Sequence, residues 1–594
     1  MEQIAFSPAQ VIDMALRQVA AGLENFGAEF DPQVRPADPR HGDFQANGVL
    51  PWAKQARKNP RQLGQELIDA LATSNELNPL TVQWELAGPG FINFRLTPEF
   101  LLRWLETYRS DNALREGAGS SDQGRTVMVD YSSPNTAKEM HVGHIRSTVI
   151  GEAVARLLEF CGAKVIRDNH IGDWGTQFGM LIWAVKHHQT DLTKIEEVAE
   201  LEALYRQGSA HYKSSPEAED ECRMELVKLQ QGDPENQQIW QQITDASWRS
   251  FQQIYDSLDV HFDEVLGESF YRDKVDRIYA ELIELNLAQE DQGALVVFHP
   301  EHQRFKTQPF LVRKKDGASN YASTDLATIL YRVEHFKADE LLYVVGLPQS
   351  DHFEQLFLTV QKWFAAKNYP VPEMRHLGFG TVLGEDGKAI RTRSGESVKL
   401  RDLLNEAIER ARATVDAKQE ERPEGERLSD EERAEVARVV GLGAIRYADL
   451  SQNRTSDYKF SWEQMLSLEG NTAPYLLYAV ARLHSIFRRA GYTPGDASAE
   501  QGASAPEADE EIALARKLLA FPAVIEQTRS DLRPHFLCTY LFDLAGVFST
   551  FYNACRVIVD EPDVRARRLM LASRTLTVLE TGLHLLGLET LERM

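Results

Sequence analysis

A dense run of polar residues, DYSSPNTAKEMHVGH at 130–144, is the strongest candidate for chemistry in this sequence. His141 and His144 are three residues apart, which would place both imidazoles on one face of a helix. From there, both could donate hydrogen bonds to one phosphate chain. Gly143 has no side chain, so a flat adenine ring could approach the backbone between them. Free N–H groups and the macrodipole at a helix N-terminus also attract phosphate.

The surrounding elements predict that this run forms a nucleotide-binding turn. A short strand at 127–133 leads into it, a helical pattern that contains Ile145 follows, and a second strand comes at 163–169. The order strand, helix, strand predicts a parallel sheet, and such sheets bind nucleotides at the carboxyl ends of their strands. We therefore expect an α/β Rossmann-type domain with the two histidines at its ligand-binding edge.

Two simpler interpretations of the histidine pair stay open at this level. An HxxH spacing can be half of a metal site, for which His170 is the one other nearby candidate ligand. The two residues could also be unrelated surface histidines. Because no complete ligand set is apparent, we predict no metal bound by the protein itself. The loop at 170–173 follows the second strand and is interpreted as part of a substrate pocket.

The rest of the chain predicts three further units. Residues 1–115 form a small α/β domain, and the Rossmann-type domain is expected over 122–400 with a helical insertion at about 186–290. A helical connector at 401–455 leads to an all-α domain at 456–594, with no convincing strand in either. After the insertion the strands are expected to resume at 294–298, 310–313, 341–346 and 379–383.

The composition is ordinary for a globular chain but the charge is not. Among 594 residues, 43% are hydrophobic and 26% are charged, which excludes a disordered or membrane-spanning chain. The four cysteines form no CxxC pair and no leader pattern is visible, so we expect a cytoplasmic protein without a membrane partner. The net charge of −24 argues at first against nucleic acid, because phosphate binding depends on Lys and Arg.

The HxGH string is similar to the HIGH signature of class I aminoacyl-tRNA synthetases. Its surroundings, SSPNTAKEMHVGHIRST and NHIGDWGTQFG, resemble the bacterial arginyl-tRNA synthetases. Collinear blocks agree with them from the first domain to the last residue: GDFQANG at 42–48, GPGFINF at 88–94, NYASTDLA at 320–327, GNTAPYLLYAVARLHSIFRRA at 470–490 and the terminal Arg593-Met594. The resemblance implies that L-arginine is activated with ATP and Mg²⁺ and transferred to the 3′-terminal adenosine of tRNA(Arg), with release of AMP and pyrophosphate.

The resemblance also implies roles for individual residues. His141 and His144 would stabilise the charge that develops on the α-phosphate of ATP. The positions that match guanidinium-binding groups are Asp130, Tyr321 and Asp325. The positions that match groups holding the amino-acid head are Asn135, Gln349 and His141. From the residues alone, Tyr321 and Asp325 could equally be the first turn of a helix, where the dipole favours Asp.

The second class I signature, KMSKS, is where the sequence departs from the family pattern. The corresponding place, after the turn LGEDGK, reads AIRTRSG at 389–395. The resemblance points to Lys138, just before the histidine pair, as a compensating cation. It leaves open which of Lys138, Arg391 and Arg393 neutralises the pyrophosphate. The alternative for the two arginines is a solvated loop.

The helix predicted after Asn471 has two different faces. At about 100° per residue, its apolar stripe comprises Leu476, Val480, Leu483 and Phe487. Tyr475, Tyr478 and Arg482 fall on the opposite face, where they would suit stacking on the splayed bases of an anticodon loop. The alternative is that the tyrosines belong to a buried core. The resemblance adds Tyr552 and Met594 as anticodon contacts and Asn93 as a contact of the tRNA elbow.

The distribution of charge answers the initial objection to nucleic acid. The acidity is concentrated in three segments, with net charges of −6 at 196–222, −4 at 416–438 and −6 at 495–512. Residues 495–511 of the last segment, here called the acidic linker, are interpreted as a loose surface segment. Such acidity limits non-specific RNA binding without excluding a specific tRNA. Basic residues cluster instead in the C-terminal domain: Arg482, Arg488, Arg489, Arg565, Arg567, Arg568 and Arg574.

Two other functions are the alternatives. A small-molecule nucleotidyltransferase could share HxGH, but it would leave the first and last domains without a purpose. A non-catalytic tRNA-binding paralogue fits the irregular second signature, but not the intact His141, His144 and Asp325. We therefore predict a monomeric arginine–tRNA ligase that acts on L-arginine and tRNA(Arg) and has no DNA partner.

Overall fold

A computed structural model describes residues 5–78, 81–195, 197–315, 317, 319–384, 386–388, 390 and 397–594 of the protein. The N-terminal domain is a four-stranded antiparallel sheet, in the order β1-β2-β4-β3, with helices packed against it. Its helices are α1 (Pro8–Ala21), α2 (Val49–Ala56), α3 (Pro60–Thr73), α4 (Pro98–Thr107) and α5 (Asp111–Ala118). Its strands are β1 (Val34–Pro36), β2 (Phe44–Ala46), β3 (Val82–Ala87) and β4 (Phe91–Leu96).

The central part of the chain alternates helices and strands. Its helices are α6 (Val142–Phe160), α7 (Thr176–His188), α8 (Val198–Tyr212), α9 (Pro216–Gln230), α10 (Pro234–Ser257), α11 (Glu268–Tyr271), α12 (Val275–Glu284), α13 (Tyr321–Tyr331) and α14 (Ser350–Lys367). Its strands are β5 (Thr126–Asp130), β6 (Lys164–Asp168), β7 (Ala288–Asp291), β8 (Ala294–Val297), β9 (Phe310–Arg313), β10 (Glu340–Tyr343), β11 (Glu373–His376) and β12 (Val382–Leu383).

Four of these strands form the predicted parallel sheet, in the order β11-β10-β5-β6. Most of their residues are buried, as is typical of parallel sheets that are covered on both faces. The register pairs Tyr343 with Asp130, and Asp130 with Asp168. The carboxyl ends of three strands therefore meet at one edge, just before the turn that leads to the histidine pair.

Several of the predicted strands belong to other sheets. Strands β8 and β9, at the expected 294–298 and 310–313, join β7 in a separate antiparallel sheet rather than resuming the parallel one. The insertion is therefore not helical as far as residue 290. The turn Gln292-Gly293, with φ of 51° and 85°, closes the β7–β8 hairpin, because two left-handed residues match the twist of paired strands. Strand β11 was not predicted, since its sequence EMRH has one apolar residue.

The C-terminal part is almost entirely helical, and the predicted fold class is confirmed. Its helices are α15 (Leu400–Glu420), α16 (Asp430–Leu450), α17 (Trp462–Met465), α18 (Ala473–Ala490), α19 (Asp509–Leu519), α20 (Phe521–Asp531), α21 (His535–Ala554) and α22 (Pro562–Leu585). The exception to the helical expectation is β13 (Tyr458–Lys459), which pairs in parallel with β12. Among the described residues, no helix combines the length and the apolar character needed to cross a bilayer.

Two arginines connect four helices from different parts of the chain. Arg446 of α16 donates to the carbonyls of Leu258 and Gly587, which follow the ends of α10 and α22. Arg156 of α6 donates to the carbonyl of the adjacent Asp259 at 2.7 Å. A cation at a helix C-terminus satisfies free carbonyls and opposes the helix dipole. Burial lowers the pKa of Arg446 to about 10, so it stays charged at neutral pH.

Candidate active site and RNA-binding surface

The two histidines form a reciprocal cap at the start of α6. The Nδ1 of His141 accepts the backbone N–H of Gly143 at 3.0 Å, and the Nδ1 of His144 accepts the N–H of His141 at 3.0 Å. A neutral imidazole whose Nδ1 accepts a hydrogen bond carries its proton on Nε2. With ring centroids 4.1 Å apart, both residues therefore present Nε2–H donors in one place.

The surroundings keep both imidazoles neutral. Burial lowers the pKa of His144 to about 3. Burial, and then the nearby ammonium of Lys138, also lower the pKa of His141. Lys138 is itself exposed, with its Nζ 5.2 Å from the centroid of the Tyr205 ring. A Cβ at Gly143 would lie 2.8 Å from the Cε1 of His141, so glycine at this position also preserves the cap.

The turn between β5 and α6 is held in an unusual backbone conformation. Three of its non-glycine residues have left-handed φ values: Ser132 (71°), Ser133 (46°) and Ala137 (58°). The N–H of Ser133 donates to the Oδ1 of Asn169 at 3.1 Å. The backbone of Asn135, an exposed residue, forms an isolated parallel β-bridge with Gly172. A Cβ at Gly172 would lie 2.1 Å from the Oδ1 of Asn135. Such conformations persist where neighbouring structure enforces them, and here the 169–172 loop does so.

Asp130, predicted to bind a guanidinium, already binds one from the chain itself. Its Oδ2 lies 2.6 Å from the guanidinium of Arg332, which also bonds Asp168 at 2.6 Å. The other oxygen of Asp130 accepts the Ser133 hydroxyl at 3.1 Å. Burial disfavours a charged Arg332, but the carboxylates outweigh this and raise its pKa. Arg332, which was not predicted from the sequence, is fully buried in a π-helical turn directly after α13.

An acidic pocket lies beside this buried network. Tyr321 and Asp325 are four residues apart on α13 and thus share one helix face. Glu268 begins α11 nearby, and burial, with the charges of Asp173 and Asp325, raises its pKa to about 8. Tyr321 itself is 72% exposed; its partial burial, then the charges of Glu268 and Asp325, raise its pKa. Glu268 was missed because it falls in the insertion, which was interpreted as a run of helices.

The pocket opens into a large cleft. The cleft has a volume of about 700 Å³, and its lining includes Glu268, Tyr321, Trp174 and Arg272. The guanidinium of Arg272 lies 4.9 Å from the centroid of the Trp174 ring. Leu226 and Gln230 of α9 also line this cleft. Within the described residues, no group of His, Cys, Asp or Glu is arranged to hold a metal ion.

Gln349 lies at the end of a short 3₁₀ turn, Leu347–Gln349, and is exposed. It precedes α14, whose residue His352 contacts Asp325 with its Nε2 2.6 Å from Oδ2. The turn before α14 is therefore linked to the acidic pocket. His352 was not predicted from the sequence, because it belongs to an ordinary helical pattern.

The loop of the irregular second signature falls partly outside the described residues, and Arg391 and Arg393 are among those not described. The chain that follows runs beside the histidine pair. The N–H of Val142 donates to the carbonyl of Val398 at 2.9 Å, and that of Leu400 donates to the carbonyl of Met140 at 2.9 Å. The carboxyl end of the loop is thus anchored at the start of α6.

Comparison with known proteins decides the family. Three family models match: "Arginyl tRNA synthetase N terminal domain" at 9–96, "tRNA synthetases class I (R), catalytic domain" at 111–462 and "DALR anticodon binding domain" at 476–594. The chain belongs to the arginyl-tRNA synthetase family. It is 45% identical to an arginine–tRNA ligase of Saccharophagus degradans, across 93% of this chain and 94% of that protein. It is 43% identical to one of Picosynechococcus sp., across 96% and 97%.

Solved structures of the arginyl-tRNA synthetase family have the same overall fold. The Plasmodium falciparum arginyl-tRNA synthetase superimposes with a TM-score of 0.81 at 28% identity, covering all of both chains. The Thermus thermophilus arginyl-tRNA synthetase gives 0.80 at 27% identity, covering 99% of this chain and all of that one. The resemblance stated from sequence motifs is therefore confirmed at the level of the family.

The predicted anticodon-contact residues of this arginyl-tRNA synthetase family member lie in two groups. Tyr478, which is 49% exposed, and Met594 line a mostly apolar cavity of about 110 Å³. The guanidinium of Arg482 lies 4.3 Å from the centroid of the Tyr552 ring. Tyr475 is half-buried, with its ring 5.4 Å from that of Phe542. The predicted apolar stripe of α18 is confirmed, since all four of its residues are buried: Leu476, Val480, Leu483 and Phe487.

The interpretation of the acidic linker as a loose, solvated segment is wrong. Arg567 and Arg568 both bond Glu511, each at 2.8 Å. Arg574 bonds Glu500 at 2.5 Å and, like Arg567, is buried. The linker therefore neutralises arginines far along the chain, since Arg568 lies 57 positions beyond Glu511 and Arg574 lies 74 positions beyond Glu500. Local charge counting could not detect this pairing, because it follows from the tertiary fold.

Asn93 of the N-terminal domain is buried in the middle of its sheet. Its side-chain oxygen accepts the amide of Gln45 at 2.7 Å, and its own amide lies 3.5 Å from Glu85. The residue lines a shallow cavity of about 220 Å³ together with His41 and Arg95. Its predicted contact with the tRNA elbow stays a prediction.

Proposed function

We propose that the protein is an arginine–tRNA ligase. It activates L-arginine with ATP, which binds as its Mg²⁺ complex. It then esterifies the 3′-terminal adenosine of tRNA(Arg) with the activated arginine. One observation carries the proposal: the acidic pocket of Glu268, Asp325 and Tyr321 lies beside the buried network at the end of β5, the strand that leads into the turn with the neutral imidazole donors. The names of the relatives and of the matching structures support the same activity.

The pocket suits a guanidinium for a clear physical reason. A guanidinium is a planar cation with five N–H donors and pairs best with carboxylates. Glu268, Asp325 and the Tyr321 hydroxyl supply acceptors that can approach such a fork from different sides. Asp130 has both oxygens bonded within the protein, so we assign it to the floor of the pocket. Asn135 and Gln349 would hold the amino and carboxylate groups of the substrate.

Activation requires charge stabilisation rather than a nucleophile from the protein. A carboxylate oxygen of arginine attacks the α-phosphorus of ATP, and the bond to the β-phosphate oxygen breaks. The Nε2–H groups of His141 and His144 donate to the oxygens on which negative charge develops. Because both rings are neutral and fixed by backbone bonds, they need no reorganisation during the step. Lys138, with Arg391 or Arg393, would neutralise the departing pyrophosphate.

Transfer and tRNA recognition would use the remaining surfaces. A ribose hydroxyl of the terminal adenosine attacks the arginyl carbonyl and AMP departs. Bases of the anticodon loop would contact α18 and its neighbours through the residues predicted for this role: Tyr475, Tyr478, Arg482, Tyr552 and Met594. The N-terminal domain, with Asn93, would meet the elbow of the tRNA. All these groups belong to one chain, which fits a monomer, and we place the reaction in the cytoplasm.

Aminoacylation of total tRNA with each labelled amino acid in turn tests the proposal. We expect arginine alone to be incorporated. Charging with lysine or glutamine, or no charging at all, would overturn it. Arginine-dependent exchange of pyrophosphate into ATP separates the alternatives: an enzyme without an RNA substrate would show brisk exchange without tRNA, and a non-catalytic paralogue would bind tRNA without exchange. We expect exchange that depends on tRNA.

A further inference from the structure

The carboxylate of Asp325 has one protein partner on one of its two oxygens. The Nε2 of His352 donates to Oδ2 at 2.6 Å, and both side chains are mostly buried, at 25% and 21% exposed. Within the part of the chain that the structure describes, Oδ1 of Asp325 accepts no hydrogen bond. A carboxylate held at one oxygen keeps the other available in a fixed orientation.

The imidazole of His352 is itself held in place by aromatic packing. Its ring centroid lies 5.7 Å from that of Phe310 on β9 and 5.4 Å from that of Phe353 on α14. The ring planes are inclined at 51° and 79° to these neighbours, so packing on two sides limits rotation of the imidazole. His352 therefore presents Nε2 to Asp325 from a rigid position.

We propose that His352 is a positioning residue for arginine specificity: it fixes the Asp325 carboxylate so that its free oxygen meets the guanidinium of the substrate. The proposal rests on the proposed function. A freely rotating carboxylate would have to be ordered when arginine binds, and that ordering costs affinity. His352 removes part of this cost before the substrate arrives. It acts through Asp325 and contacts neither ATP nor the tRNA in this scheme.

The test compares His352→Leu with His352→Gln in the full-length enzyme, using active-site titration to count competent molecules. We expect His352→Leu to raise the KM for arginine about tenfold, as for the loss of a hydrogen bond to a charged group. The KM for ATP should stay within about twofold, because the affected group is in the arginine pocket. His352→Gln keeps a donor and should recover most of the affinity.

His302→Leu is the matched control. The Nε2 of His302 lies 3.2 Å from the Oε1 of Glu354. Glu354 follows His352 by two positions on α14. Removing it deletes a comparable histidine–carboxylate pair that does not touch Asp325, and the KM for arginine should not change. If His352 had a purely structural role, His352→Leu would lower the active fraction and the melting temperature while leaving both KM values as in the wild type. That result would overturn the proposal.

Calorimetric titration with L-arginine and a double-mutant cycle sharpen the test. Because His352 acts through Asp325, adding His352→Leu to Asp325→Asn should cost no further arginine affinity, and additive losses would refute the inference. Failure of the proposed function looks different, since the wild-type enzyme would then not charge tRNA with arginine. A wild-type enzyme that charges arginine, with a His352→Leu variant of unchanged KM, contradicts this inference alone.

Discussion

The guanidinium of Arg332 lies 2.6 Å from the carboxylate of Asp130, a group that the family resemblance predicts to bind the substrate. Arg332 also bonds Asp168, so one cation joins the carboxyl ends of two neighbouring parallel strands. The arrangement places a permanent guanidinium beneath the site proposed for the guanidinium of the substrate. It explains how two aspartates can be buried there without an external partner, because each is paired inside the protein.

Replacing Arg332 should destabilise the protein strongly. Arg332→Met would leave Asp130 and Asp168 buried without a counter-charge, which costs about 3–5 kcal/mol of unfolding free energy. Urea unfolding would measure this loss, and the deficit should shrink at pH 5, where the unpaired carboxyls take up protons more readily. Arg103→Met is the control, because its pair with Glu99 is about half exposed and should contribute under about 1 kcal/mol. Equal losses for the two variants would contradict the assignment.

Activation should depend on the Nε2–H donor of His144. In His144→Asn the short amide can still accept the N–H of His141, so the start of α6 should be preserved. The shorter amide cannot place a donor at the position of Nε2, so tRNA-supported pyrophosphate exchange should fall about 10²–10³-fold, as for loss of an oxyanion-hole donor. His188→Asn, on the exposed end of α7, is the control and should not change the rate. A drop of less than threefold in His144→Asn would remove this residue from the mechanism.

Arginine affinity should rise with pH in a way that depends on Glu268. With its pKa raised to about 8, chiefly by burial, Glu268 is largely protonated in the free enzyme at pH 7. A guanidinium favours the ionised form, so binding must release this proton. The KM for arginine should therefore fall as pH rises from about 6.5 to 8.5, by up to tenfold per unit below the pKa. Glu268→Gln should bind arginine weakly and without this slope, and a wild-type KM that does not change with pH would exclude the role.

Lys138 should contribute at least as much as Arg391 or Arg393 to neutralising the leaving pyrophosphate. Lys138 stands beside the histidine pair, close enough to lower the pKa of His141. We expect Lys138→Ala to reduce pyrophosphate exchange by at least as much as Arg393→Ala, measured at saturating ATP and tRNA. The reverse order would place the compensating charge on the loop.

Affinity for tRNA should distinguish free arginines from those bound by the acidic linker. Arg482 stacks on Tyr552 and has no ion pair in the described residues, whereas Arg568 bonds Glu511. Filter binding should show that Arg482→Gln weakens tRNA binding about tenfold, with a smaller salt dependence. Arg568→Gln should bind tRNA as the wild type does but unfold at a lower temperature. If Arg568→Gln weakens tRNA binding as much as Arg482→Gln does, the linker does not mask these arginines.

Local sequence patterns predicted the features that depend on neighbouring residues. The apolar strand before Asp130 and the helical spacing after His144 were sufficient to predict the parallel sheet and the turn that carries the histidine pair. Contacts between distant segments were not predictable in this way. Arg332, Glu268 and His352 belong to elements that look like ordinary helices, and their roles follow from tertiary packing around the sheet edge. The pairing of Arg574 with Glu500 was hidden for the same reason.

The carbonyls bound by Arg446 have a consequence for protein engineering. This residue donates to the carbonyls that follow α10 and α22, which lie in the parts of the chain matched by the catalytic-domain and the anticodon-binding-domain models. The anticodon-binding part is therefore not a module that can be exchanged freely. A chimera with a foreign helical domain would need to reproduce a carbonyl at the position of Gly587. Without that carbonyl, the buried guanidinium of Arg446 would lose one of its hydrogen-bond acceptors.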